Sequence, residues 1–155
     1  MSPIDRADPA ILGHLLAQHR ALHTLVSAVH ARLDDVAAAS SVTGQAASLR
    51  QPLQALRDYL YGHFQQEERG GFIEESLARI PRLADAAKGV LAEHPRLLEE
   101  LDRLIESLPV ADISRLQRAD LEAGFERFCH HLLTHERNEN AVVQEGYNED
   151  LGLAD

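Results

Sequence analysis

His19, His63, His94 and His135 each stand where the apolar period of an amphipathic helix would place leucine, and Glu67 and Glu139 intrude in the same way one turn after His63 and His135. The seam around His19 reads Leu12, Leu15, His19, Leu22, Val26, Val29 and Leu33. Around His63 it reads Leu53, Leu56, Leu60, His63 and Glu67; around His94, Ala87, Val90, His94, Leu97, Leu101, Leu104 and Leu108; around His135, Leu121, Phe125, Phe128, Leu132, His135, Glu139 and Val142. Spacings of three and four residues gather each set on one helix face. Four such faces must be buried against one another. This predicts an all-α, up-down-up-down antiparallel four-helix bundle, with the polar seam residues inside it.

Punctuation between the seams supports four rods. Asp8-Pro9 is a helix start, with Asp as N-cap and Pro at the first helical position. The stretch AAASSVTG at 37–44 reads as a loop. A second helix is expected from about 48 to 69, with Pro52 near its start and Gly70-Gly71 ending it. FIEESLARIP suggests a short connecting helix, and a third rod follows from about 82 to 108 with a kink at Pro95, which lacks an N–H and crowds the preceding turn. Pro109 and Asp112 mark the break before the fourth rod. The tail after Gly146 reads as poorly regular, with Tyr147 and Leu151 as residues that could tie it back.

The two halves repeat. With His19 aligned on His94, the seam residues of the first and third rods coincide. With His63 aligned on His135, Leu53, Leu56, Leu60 and Glu67 fall on Phe125, Phe128, Leu132 and Glu139. Any two amphipathic helices can be matched on leucines; the informative part is that His and Glu replace apolar residues at matched places. His19 and His94 lie toward the N-terminal ends of their rods and His63 and His135 toward the C-terminal ends. Alternating rod direction therefore brings all four to one level.

Composition limits what else the chain can be. Hydrophobic residues make up 45% but aromatics only 5% with no Trp, so Leu, Ala and Val must fill the interior. The length of 155 residues suits one domain. A formal net charge of −10 disfavours nucleic acid and anionic membrane surfaces. Cys129 is the single cysteine, which excludes an internal disulfide and a cysteine-rich zinc site. No apolar run approaches membrane-spanning length, and MSPIDRADPAILGHLL has no basic segment followed by an apolar one, so a soluble, cytoplasmic protein is expected.

Two carboxylates inside a leucine core would be very costly if ionised and unpaired. Cations offset that cost, and each carboxylate has two oxygens that can bridge two ions. Four imidazoles with two carboxylates give mixed N/O ligation, which suits iron and also permits manganese or zinc. Six protein groups leave positions open on a pair of six-coordinate ions.

The segments LLAQHRALH, YLYGHFQQEE, LAEHPRLLEEL and LLTHERNEN, in this order across about residues 10–145, resemble the hemerythrin-like, or HHE cation-binding, domains. The resemblance implies a non-haem di-iron site with His19, His63, His94 and His135 as ligands and Glu67 and Glu139 as bridges. It implies O₂, nitric oxide or peroxide as the small-molecule ligand, in sensing, storage or scavenging. The chain departs from respiratory hemerythrins, whose third helix carries a second ligand histidine four residues on; here Leu98 stands there. Their fourth helix places a carboxylate five residues after its histidine, a spacing that His131 and Glu136 share, but the seam and the repeat favour His135 with Glu139. Reversible O₂ carriage is thereby disfavoured and a more symmetric site expected.

Other readings stay open beside this one. His23 and His131 are possible additional metal ligands; His23 could equally be an outer partner or a surface residue, and His131, like Tyr59, an outer donor or a space-filler. His14, His30 and His130 read as surface or rim residues, Glu68 and Glu136 as solvated helix-face charges, and Cys129 as a small core residue. A di-iron oxidase or peroxidase, and a metal-free helical interaction module, are the alternative functions. No protein partner is indicated, and neither a phosphate-binding Gly loop nor a serine nucleophile motif is present.

Overall fold

A computed structural model describes the backbone of residues 9–39, 45–70 and 81–154. Its helices are α1 (Pro9–Ala38), α2 (Gln45–Gly70), α3 (Pro81–Ala92), α4 (His94–Glu106) and α5 (Arg115–Ala154). The expected Asp8 cap, the connecting helix in FIEESLARIP, positions 40–44 of the AAASSVTG loop and the side chains of Tyr147 and Leu151 lie outside the described residues.

Contacts between helices define a closed square. α1 packs on α2 and α5, and α4 packs on the same two. Each adjacent pair runs antiparallel. His19 meets Glu139 while His30 meets Glu126; Arg57 meets Asp102 while Glu68 meets His94; Glu93 meets His135 while Glu100 meets His131. The all-α bundle expected from the seams is the fold, and its core is the seams: Leu22, Val29, Leu53, Leu56, Leu60, Leu101, Phe125 and Phe128 are all buried. Leu15, Leu83, Ala87, Val90, Val142 and Val143 form a second apolar cluster.

Three differences from the sequence reading have local physical causes. α2 starts at Gln45, ahead of the expected position, so Pro52 lies inside it. The Ala46 N–H donates to the Ala111 carbonyl at 3.2 Å, and Ala46 and Leu49 are fully buried. Tertiary capping and packing thus extend the helix past its weak local signal. The third rod is two helices rather than one kinked helix. They meet at Glu93, whose N–H bonds back to the Val90 carbonyl while its own carbonyl accepts from Leu97 N–H. Pro95 cannot donate into the ladder, so the rod breaks in the turn before it. The tail is a correction as well: α5 continues without interruption to Ala154, because neither Gly146 nor the residues after it contain a proline to stop it.

α5 begins with a device not anticipated from sequence. Gln117 N–H donates to Ser114 Oγ at 3.0 Å, and Ser114 N–H donates to Gln117 Oε1 at 2.9 Å. This reciprocal capping box satisfies two end groups and fixes where the longest helix starts.

Candidate metal centre

The bundle brings all six seam residues of the sequence reading together at one level. His19 comes from α1, His63 and Glu67 from α2, His94 from the first turn of α4, and His135 and Glu139 from α5. Every one is at most 4% exposed. The i, i+4 spacing stacks His63 over Glu67 and His135 over Glu139 on the inward faces of their helices. Leucines one turn before each histidine, Leu60 and Leu132, are buried and seal the site from the core side.

The six side chains form two groups that overlap. His19, His63, Glu67 and Glu139 can direct one ligand atom each to a common point, and so can Glu67, His94, His135 and Glu139. Both carboxylates belong to both groups, and their oxygens divide between them. Glu67 Oε1 lies 2.5 Å from His63 Nε2, and its Oε2 lies 3.0 Å from His94 Nε2. Glu139 Oε1 lies 3.0 Å from His19 Nε2 and 3.7 Å from His63 Nε2. Its Oε2 lies 3.3 Å from His135 Nε2 and 3.9 Å from His94 Nε2.

Many of these atoms face one another without hydrogen-bond alignment. His63 Nε2, His94 Nε2, His135 Nε2, both oxygens of Glu67 and Glu139 Oε2 are buried with no hydrogen-bond partner. Native cores rarely leave such groups unsatisfied, since each costs about 1–3 kcal/mol and more if charged. Such a cluster of buried, unpartnered nitrogen and oxygen atoms is a donor arrangement that bound cations would satisfy.

The rings are held from outside. His63 Nδ1 bonds Gln18 Oε1, His94 Nδ1 bonds Glu68 Oε1 at 3.0 Å, and His135 Nδ1 bonds Glu93 Oε2 at 2.7 Å. Donation from Nδ1 fixes the tautomer that leaves the Nε2 lone pair pointing inward, and a carboxylate acceptor raises the basicity of the ring. Phe64 adds a wall, stacked on His94 at 3.7 Å between centroids and edge-on to His135 at 5.5 Å.

Gln18, Glu93 and Phe64 were not singled out from sequence, and Glu68 was read as a solvated charge. The available signal was adjacency: Gln18 precedes His19, Glu68 follows Glu67, and Glu93 precedes His94. Glu68 is exposed as expected but also grips His94, whereas Glu136 is a correction, since it is 3% exposed rather than solvated. His23 and His131 fall outside both groups and are exposed; they pair with Glu136 and Glu100, each at 2.6 Å. His14, His30 and His130 also stay outside both groups. Cys129 is partly buried, and burial together with the Glu126 charge pushes its thiol up to about 12.

The electrostatics of the metal-free site follow from this crowding. Burial works to lower the His63 pKa, but its short contacts with Glu139 and Glu67 outweigh that and raise it to about 9. His94 is raised to about 9 by the same two carboxylates against the same burial. Burial would raise Glu139, yet the four surrounding imidazoles hold it far below the usual carboxylate range. At neutral pH the protonated His63 and His94 rings therefore offset carboxylate charge in the site.

A metal ligand must shed its proton, so cation uptake at pH 7 is expected to release about two protons per chain, from His63 and His94. Calorimetric titration of metal into the protein in buffers of different ionisation enthalpy measures this number. Affinity should climb with pH and level off above about 9, where the proton no longer competes. Release of no protons would contradict the charge balance.

The family model for the hemerythrin HHE cation binding domain matches residues 10–145, which is most of the chain. No curated protein and no solved structure matches at a stringent threshold.

Proposed function

The chain belongs to the hemerythrin HHE cation-binding domain family, and from that premise we propose that it holds two non-haem iron ions and interacts with O₂ or a related small oxidant such as nitric oxide or peroxide, as a cytoplasmic sensor, store or scavenger. The observation that carries the reading is the division of both carboxylates between two histidine pairs. One ion is assigned to His19 and His63, the other to His94 and His135, with Glu67 and Glu139 spanning them.

Each ion would then receive two imidazole nitrogens and two carboxylate oxygens. Iron accepts such mixed ligation in six-coordinate form, which leaves positions for a small exogenous molecule. Burial of all six donors restricts that molecule to a few atoms. Leu98, where respiratory hemerythrins carry a further ligand, packs against the apolar core. Two histidines per ion favour a symmetric pair over the unequal one used for reversible O₂ carriage. Among the described residues no helix is long and apolar enough to cross a membrane.

The test is iron quantitation and optical spectroscopy on protein made without an affinity tag under iron-replete conditions. The expected result is about two iron ions per chain, with ferric charge-transfer absorption in the near ultraviolet that changes when the reduced protein meets O₂. Substoichiometric iron with no such absorption would refute the reading.

A further inference from the structure

The outer partners of the histidines follow a rotation around the bundle. Gln18 on α1 serves His63 on α2. Glu68 on α2 serves His94 on α4. Glu93, at the start of α4, serves His135 on α5. In each case a residue adjacent in sequence to a site residue on one rod grips the histidine of the next rod in the square. The remaining step runs from α5 to α1, and the residue in the corresponding place is Glu136, next to His135.

Glu136 makes no direct hydrogen bond to His19. His19 Nδ1 is buried and has no partner, and so is Glu136 Oε1, although the whole Glu136 residue is only 3% exposed. Asn140 Oδ1, one turn further along α5, is likewise buried and unpartnered. His19, Glu136 and Asn140 line one groove of about 230 Å³ between α1 and α5. The three atoms are chemically complementary. His19 Nε2 faces Glu139 at 3.0 Å; with a cation engaging that nitrogen's lone pair, Nδ1 is the ring's donor, whereas the Glu136 and Asn140 oxygens are acceptors. One water accepting from His19 and donating to the two oxygens would satisfy all three. A further cation in this place is disfavoured, because the exposed guanidinium-bearing residues Arg20 and Arg137 line the same groove.

We propose that Glu136 is the positioning residue for His19, acting through a water bound in the α1–α5 groove with Asn140, and that His23 holds Glu136 in place from the solvent side. His23 Nε2 lies 2.6 Å from Glu136 Oε2, and its own side chain is half exposed. The ring of outer partners is then complete, but its fourth link runs through a water where the other three are direct. Three links are direct contacts between protein groups, so the ion on the His19 side is the one whose hold depends on solvent in a groove. The inference rests on the assignment of the site as a metal pair.

The test uses zinc- or iron-loaded full-length protein and two variants, Glu136→Leu, which removes both oxygens, and Glu136→Gln, which keeps a neutral acceptor. Loss of an outer partner to a metal histidine typically costs about 10–100-fold in affinity. Chelator-driven release from Glu136→Leu should therefore become biphasic, with one ion leaving about tenfold faster or more and the other at the wild-type rate; Glu136→Gln should fall between. In the zinc-loaded form the His19 ring N–H resonance should shift, with those of His63, His94 and His135 staying in place. A high-resolution crystal structure should show a water touching His19 Nδ1, Glu136 Oε1 and Asn140 Oδ1. Equal acceleration of both ions in Glu136→Leu would mark a purely structural role and overturn the inference, as would unchanged release and an unmoved His19 signal. If wild-type protein binds neither metal, the site assignment itself fails, and the crystallographic water separately decides whether the groove is built as argued.

Discussion

Replacing Glu139 by glutamine is expected to abolish binding of both metal ions at micromolar metal, whereas His19→Ala should lose only one. The difference follows from how the site is shared. Glu139 presents Oε1 to the pair formed by His19 and His63 and Oε2 to the pair formed by His94 and His135. It belongs to both four-residue groups, while His19 belongs to one. Glutamine preserves the shape of the side chain, so the bundle has no cavity to collapse. It nevertheless replaces an anion by a neutral amide whose nitrogen cannot ligate, and it removes the charge that compensates two cations in a nearly water-free interior. Glu67→Gln should behave like Glu139→Gln, because Glu67 divides its oxygens in the same way. Metal content per chain after gel filtration, with far-ultraviolet circular dichroism to confirm helicity, measures all three. A Glu139→Gln protein that retains one tightly held ion would show that the carboxylate serves a single ion, and the two-ion reading would fall.

How much of this was legible in the sequence depends on the physical range of each interaction. His19, His63, Glu67, His94, His135 and Glu139 were conspicuous because a polar residue in a leucine seam is an anomaly of local period, and the period needs no knowledge of neighbouring rods. The repeat then supplied the common level. Gln18, Glu68 and Glu93 were not legible in the same way. Each sits at the edge of a polar face, where Glu and Gln are ordinary, and each acts across to the adjacent rod, so only the packing of the square reveals it. Glu136 misled for the same reason: it reads as surface charge until α1 is laid beside it. The early start of α2 has a tertiary origin too, in the Ala111 carbonyl that caps Ala46. The unbroken run of α5 into the tail has another cause. The tail after Gly146 reads as poorly regular on its own, although Glu, Asn and Leu are all compatible with continuing a helix already nucleated by its capping box.

Metal removal should lower the melting temperature on the order of 10–30 °C, and the drop should widen between pH 6.5 and pH 9. Ligands that bind only the folded state stabilise it by about 2.7–4.1 kcal/mol each at free concentrations of 100 to 1,000 times Kd. For a domain of this size each kcal/mol moves the midpoint by roughly 2–4 °C, and two ions act together. The pH dependence comes from the metal-free form. His63 and His94 have folded pKa values raised to about 9, so their pairing with the carboxylates stabilises fully below the ordinary histidine value near 6.5 and is lost as pH rises through about 9. Glu139 runs the opposite way: its folded pKa is depressed, so its contribution is present above the ordinary carboxylate range near 4.5 and is lost with acid. The metal-free bundle should accordingly be most stable between roughly pH 4.5 and 6.5 and should weaken toward alkaline pH as two carboxylates lose their protonated partners. In the loaded protein cations replace those protons, so the alkaline weakening disappears while metal affinity itself improves. Differential scanning calorimetry of chelated and loaded protein at pH 6.5, 7.5 and 9 reads both effects. A melting temperature indifferent to chelation at every pH would instead describe a helical module that owes nothing of its stability to metal.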